Sequence, residues 1–162
     1  MDEATAKAWP KPSVARSPNT KTTGEKIDKV ARAPLKKIGL NYDHSTGHGV
    51  GYFSNVHEGP QAISKSNKIK LTEGMILSNE PGFYKTNEFG IRIENLIFIK
   101  KNKKKLKFEN LTLAPIEKNL IDFSLLNKKE TKYLYNYHKK VYYTLSPYLK
   151  NKEKIWLRSF FQ

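Results

Sequence analysis

The 162-residue chain contains no cysteine. That absence excludes a disulfide framework, a thiolate metal site and a cysteine nucleophile, and it permits a reducing compartment. No apolar run approaches the roughly 20 residues of a membrane span, and the N-terminus lacks the apolar stretch of a signal peptide. The sequence therefore reads as a soluble, cytoplasmic protein with no membrane partner. Acidic residues are also scarce: 15 Asp and Glu face 30 Lys and Arg, for a formal net charge of +15. Apolar residues make up 38% of the chain, below the globular average yet enough for one folded domain.

A charge of this size invites a nucleic-acid reading, because clustered lysines release counterions from phosphates. The densest cluster is KKNKKKLK, from Lys100 to Lys107. It lies between two strand-like runs, IRIENLIFI and LKFENLTLAPI, where a charged hairpin loop is the ordinary expectation. Arginine, the better reader of bases, is scarce, and no motif interleaves aromatics with the lysines. The cluster is read as a solvated loop, and no specific nucleic-acid partner is expected.

Residues 1–20 carry Pro10, Pro12 and Pro18 with no helical or strand period, and read as an irregular tail. Thr22-Thr23-Gly24-Glu25 then has capping-box form, with Ile27, Val30, Ala31 and Leu35 following at helical spacing. Pro34 is expected to break or kink that helix near its end. Glycine-rich loop and short strands follow between residues 40 and 99. Among them GMILSNEPGFY reads as a strand entering a Pro-Gly turn, and GIRIENLIFI as one alternating strand. Asn127 with Glu130 makes a second capping signature, and Leu134, Tyr137, Val141 and Leu145 mark one apolar helix face. Pro147 should stop that helix, and a last one is expected around Trp156 and Leu157.

The stretch STGHGVGYFSNVHEGP, Ser45 to Pro60, holds two of the four histidines and four glycines. Glycines let backbone approach a site closely. Beyond it, Glu80 precedes Pro81-Gly82, and Glu94 lies between isoleucine-rich flanks. Such a glutamate needs a partner if it faces the core, since a bare buried carboxylate is costly. A salt bridge to Arg92, two residues away on the same strand face, is one explanation; a metal ion shared with His48 and Glu80 is the other. The spacings from His48 to Glu80 and on to Glu94 match no local metal motif such as HExxH. The residues alone leave both explanations open.

The motifs HSTGHGVG, NVHEGP, EPGFY and FGIRIEN, in this order and spacing, resemble the catalytic domain of the Xaa-Pro aminopeptidases (aminopeptidase P). These belong to the metallopeptidase family that also holds methionine aminopeptidase, prolidase and creatinase. The resemblance runs from Thr22 to the C-terminus, and NVHEGP beside HSTGHGVG points to aminopeptidase P within the family. LTLAPIEKNLID and the YHKKV helix resemble the C-terminal extension of its longer forms.

The resemblance implies an α/β protein of the pita-bread fold. It divides the chain into the tail at 1–20, catalytic-domain residues 21–116 and a helical extension at 117–162. It further implies release of the N-terminal residue from peptides with proline in second position, by water activated on two divalent ions, manganese first and zinc second. His48, Glu80 and Glu94 would be metal ligands, with Glu94 bridging the two ions. Glu80 would also handle the proton of the attacking water. His57 would donate to the tetrahedral intermediate, His44 would help seat the substrate, and Arg92 would pair with a ligating carboxylate. His138 reads as structural. Ser45 stands where the family usually has glycine.

The family also uses two aspartate ligands on strands upstream of the histidines. The aspartates upstream here are Asp2 in the tail, Asp28 in a helix and Asp43 beside His44, and none has the expected setting. The expectation is thus an incomplete pita-bread fold, a truncated or split copy that binds at most one ion and is inactive alone. A homologous chain or a separately made N-terminal half would be its partner. A non-catalytic assembly module built on the C-terminal helices is the alternative.

Overall fold

The computed structural model describes residues 22–53, 55–102 and 105–162; the expected tail at 1–20 lies outside them. The described residues divide into two compact units, 22–112 and 113–162.

In the first unit, helix α1 (Gly24–Lys36) buries Ile27 and Leu35 as its spacing predicts, but also Asp28 and Arg32. Thr23 occupies the N-cap position with no side-chain cap bond, so the cap falls one residue beyond the Thr22 that a capping box with Glu25 requires. A tertiary neighbour does that work. The Glu25 N–H donates to the Asn67 carbonyl at 2.9 Å, and Thr23 bridges Lys70. Pro34 lies inside the helix without ending it. The chain runs on until Gly39, at φ 75°, turns it and returns the Leu40 N–H to the Leu35 carbonyl.

Seven short strands follow: β1 (Gly47–His48), β2 (Ala62–Ile63), β3 (Ile76–Asn79), β4 (Gly82–Lys85), β5 (Phe89–Arg92), β6 (Asn95–Asn102) and β7 (Lys105–Asn110). All pairings are antiparallel: β1 with β2, β4 with β5, and β3-β6-β7 as a three-stranded sheet. Ile63, Leu71, Leu77, Ile97, Ile99, Leu106 and Phe108 pack with Ile27 of α1 as one core. Each such side chain contributes about 1.5–3 kcal/mol by leaving water.

The register between these ladders positions the site. Asn79 faces Asn95 and Gly82 faces Arg92, so Glu80 and Pro81 stand opposite Ile93 and Glu94 in a gap between them. Pro81 has no N–H to give a ladder. The Glu80 N–H instead donates to the Thr46 carbonyl at 2.8 Å. Two expectations are corrected here. Pro81-Gly82 is not a turn, because the chain continues directly into β4. GIRIENLIFI is two strands, broken at Ile93 and Glu94 where its partner changes from β4 to β3.

The described residues of the lysine run are strand where a loop was expected. The β6–β7 ladder reaches into both ends of the run, pairing Lys100 with Lys107, Lys101 with Leu106 and Asn102 with Lys105. The buried Leu106 extends the ladder, while Lys100, Lys101, Lys105 and Lys107 stay exposed.

The second unit is helical. α2 (Lys128–Leu145) starts at Asn127, where both halves of the expected capping box are formed with Glu130. It stops at a single turn, Ser146–Tyr148, containing Pro147. The expected last helix is α3 (Asn151–Arg158). Tyr137, Val141 and Leu157 form the core, with Leu113, Ile116 and Leu145 packed against them. His138 lies inside this unit, between the Ile116 N–H at 3.0 Å and the Phe160 carbonyl at 3.1 Å.

Candidate metal centre

Alternation along a strand puts Ser78, Glu80 and Gly82 on one face, and Arg92 and Glu94 on the same face opposite. Glu80 and Glu94 are therefore cross-strand neighbours. β1 brings His48 to them: the Ser78 hydroxyl accepts from the His48 backbone N–H at 2.9 Å and donates to Glu80 Oε1 at 2.8 Å. One ligand atom each from His48, Glu80 and Glu94 lies within 4.8 Å of the others. Glu80 is buried, His48 half-buried and Glu94 exposed, so Glu94 borders the solvent instead of entering the core.

His48 Nδ1 lies 3.0 Å from the Gly49 carbonyl, and His48 Nε2 lies 3.4 Å from Glu80 Oε1. A carbonyl only accepts, so Nδ1 carries a proton and Nε2 is the atom directed at the carboxylates. Metal-binding histidines are oriented in this way. One imidazole and two carboxylates make a hard donor set that suits a divalent ion such as manganese and also admits zinc. These three side chains could hold a metal ion.

Arg92 pairs with Glu80, at 3.3 Å from Oε2, and not with its strand neighbour Glu94. Gly82 stands opposite Arg92. Gly82 and Gly90 together make a trough for the Tyr84 ring. A Cβ on either would meet that ring, at 2.6 Å from the hydroxyl and 2.8 Å from Cδ1 respectively. From this trough the Tyr84 hydroxyl accepts from Arg92 Nε at 3.0 Å and reaches His44 Nε2 at 2.8 Å. The bond to Tyr84 raises the Arg92 pKa further above an already high value, so the guanidinium stays charged. His57 is exposed, but its ring stacks on His48 with centroids 4.0 Å apart. Ser45 is exposed as well, and its carbonyl takes the His44 Nδ1 proton at 2.8 Å.

Residue reasoning missed Ser78 and Tyr84, which tie these groups together. Strand parity around Glu80 was the available signal for Ser78, and EPGFY contains Tyr84. It also missed the polar cluster of Asp28, Arg32, Tyr42 and Thr46 behind the histidine loop, although Asp28 and Arg32 stand one helical turn apart.

The model of metallopeptidase family M24 matches residues 13–101, and that of the C-terminal region of peptidase M24 matches residues 104–160. The chain belongs to metallopeptidase family M24. It is 47% identical over 150 residues to a probable Xaa-Pro aminopeptidase P of Laccaria bicolor, covering 85% of this chain and 23% of that protein. It is 42% identical over 160 residues to Xaa-Pro aminopeptidase 1 of Dictyostelium discoideum, covering 91% of this chain and 25% of that one. The M24 chain thus spans about a quarter of the length of these curated relatives.

Among solved structures it matches an X-prolyl aminopeptidase from Caenorhabditis elegans, described as a cytosolic enzyme with a di-nuclear active site. The TM-score is 0.88 at 33% identity, over 99% of this chain and 28% of that one. A prolidase from Pyrococcus furiosus matches at TM-score 0.54 and 32% identity, over 65% of this chain and 30% of that one. The architecture is that of the α/β pita-bread fold, of which these residues form a part, with C-terminal helices following. Among the described residues no helix is long and apolar enough to cross a membrane.

Proposed function

We propose that this M24 chain carries one side of the metal centre of a cytosolic Xaa-Pro aminopeptidase, which releases the N-terminal residue from peptides with proline in second position. The observation that carries the reading is the convergence of His48, Glu80 and Glu94, with ligand atoms within 4.8 Å although the residues are far apart in sequence. The relatives support the substrate class.

A pair of divalent ions, manganese first, would supply a nucleophile at neutral pH and polarise the scissile carbonyl. The protein's own groups do the rest. Glu80, steadied by Ser78 and Arg92, holds the proton taken from the attacking water. His57, stacked beside His48, donates to the oxygen on which charge develops. His44, held by Tyr84, orients the peptide. Arg92 offsets the charge of Glu80 while it is free of metal.

Among the described residues two carboxylates and one imidazole converge, three ligands for two ions. The 162-residue chain is therefore expected to take up at most one ion tightly and to cleave little by itself. The test is a manganese titration of the chain and of His48→Ala, beside an assay on a peptide with proline in second position. The assay is repeated with an added relative's segment carrying two further aspartates. Uptake of one ion, abolished by His48→Ala, with cleavage appearing only on supplementation, is the expected result. Undiminished uptake by His48→Ala would overturn the site, and strong cleavage by the chain alone would overturn the three-ligand limit.

A further inference from the structure

Behind the histidine loop lies a buried charge cluster that the proposed reaction does not use. Asp28 and Arg32 are each 1% exposed, and Arg32 Nε donates to Asp28 Oδ2 at 2.8 Å. Within α1 this is one ion pair. The other guanidinium nitrogens leave the helix, and all their acceptors lie on one short loop: the Asn41 side chain at 2.9 Å, the Tyr42 carbonyl, and the His44 carbonyl at 2.7 Å. The second Asp28 oxygen accepts from the Thr46 hydroxyl at 2.7 Å. Thr46 has one proton and gives it to that carboxylate, so the Tyr42 hydroxyl beside it is the donor to Thr46. Burial pushes the Tyr42 pKa up, which keeps that donor protonated. Arg32 also lies over the Tyr42 ring, 4.0 Å from its centroid, and the Tyr42 ring lies 5.0 Å from that of His44.

Burying two charges is costly, and an apolar pair of similar volume often serves stability equally well. What the apolar pair lacks is the fork. A guanidinium presents several donors in fixed directions, and here they hold three groups, on Asn41, Tyr42 and His44, of a loop that has no ladder of its own. The loop ends at His44, whose ring is held at its far side by Tyr84 and through it by Arg92 and Glu80. An unbroken chain of contacts thus runs from Arg32 to the Glu80 carboxylate.

We propose that Arg32 is a positioning residue which, clamped by Asp28, sets the His44 imidazole against Tyr84. The benefit to peptide orientation rests on the aminopeptidase reading above; the placement of His44 does not.

The test uses the 162-residue chain with 15N-labelled histidine, read by the ring nitrogens. In the wild type, His44 donates from Nδ1 to the Ser45 carbonyl and accepts at Nε2, so it should show a single Nδ1–H tautomer. Two variants are compared: Arg32→Lys, which keeps the charge without the fork, and the apolar double variant Asp28→Leu with Arg32→Met. Backbone amide spectra of β6 and β7 report whether the unit remains folded. The expected result is loss of the single His44 tautomer to an averaged mixture in both variants, with the His138 signals unmoved. Manganese broadening of His48 should remain within about twofold of wild type, since the variants touch no ligand. An unchanged His44 spectrum in either folded variant overturns the proposal. Unfolding of both variants overturns it too, because Arg32 would then serve the fold as a whole. Absence of manganese broadening at His48 in the wild type would count against the metal centre alone and leave the His44 result standing.

Discussion

Glu80 and Glu94 stand directly across from each other in the gap where the β3–β6 ladder gives way to β4–β5. Like charges in this relationship destabilise a sheet by about 0.2–1 kcal/mol. A cation between them reverses the sign. Glu94→Gln is therefore expected to stabilise the metal-free chain by about that amount and to abolish the stabilisation that manganese gives the wild type. Urea unfolding in chelator and in excess manganese measures both. A variant less stable than wild type in chelator would contradict the like-charge argument.

Ser78 joins the two sides of the same cluster through one hydroxyl, bonded to both the His48 backbone and the Glu80 carboxylate. Ser78→Ala removes a group that orients ligands without being one, and such losses weaken metal binding about 10- to 100-fold. The stability cost should be no more than about 1–3 kcal/mol, because the His48 N–H loses its acceptor. Calorimetric titration with manganese, beside a urea curve, separates the two effects. An affinity unchanged by Ser78→Ala would assign the hydroxyl to the fold alone.

The reach of the sequence can be judged from the same residues. Asn127 and Glu130 were legible as a cap because both partners lie within one helical turn. The identical spacing of Thr22 and Glu25 misleads, because the helix is capped at Thr23 and the carbonyl of Asn67, distant in sequence, takes the Glu25 N–H. Glu80 and Glu94 stood out by type. Their opposition depends on a register passing through Pro81, which no periodicity reports, and the alternation of GIRIENLIFI runs through the break unchanged. Arg32 was least legible of all. A lone arginine on an apolar helix stripe carries no mark of the loop its fork will hold. Family motifs supplied order along the chain, and tertiary contacts supplied the rest.

The two caps give a paired prediction. Asn127→Ala removes a side chain that accepts from both Lys129 and Glu130 N–H groups, and should cost about 1 kcal/mol. Thr23→Ala removes no cap bond and should stay within about 0.5 kcal/mol of wild type. Chemical denaturation of both variants checks the contrast, and equal losses would show that the two caps act alike.

The last prediction concerns pH and His138. Its Nε2 accepts from the Ile116 N–H, and its Nδ1 donates to the Phe160 carbonyl. The ring is thus neutral with its proton on Nδ1, and a proton added at Nε2 would face another donor. Burial pushes its pKa below the ordinary histidine value. The unfolded chain, with an ordinary pKa of about 6.5, binds more protons near that pH than the native one, so stability rises with pH. The contribution is complete above the unfolded value and is lost as pH falls through the lower native value. His138→Phe should destabilise the protein by about 1–3 kcal/mol at pH 7.5, since the Ile116 N–H is left unpaired. The same variant should lose less stability than wild type between pH 7.5 and pH 5, because the group that must be protonated is gone. Urea unfolding across that range, as the difference between wild type and variant, isolates His138 from every other titrating group. A difference that does not narrow as pH falls would mean that His138 is not held neutral in the native state.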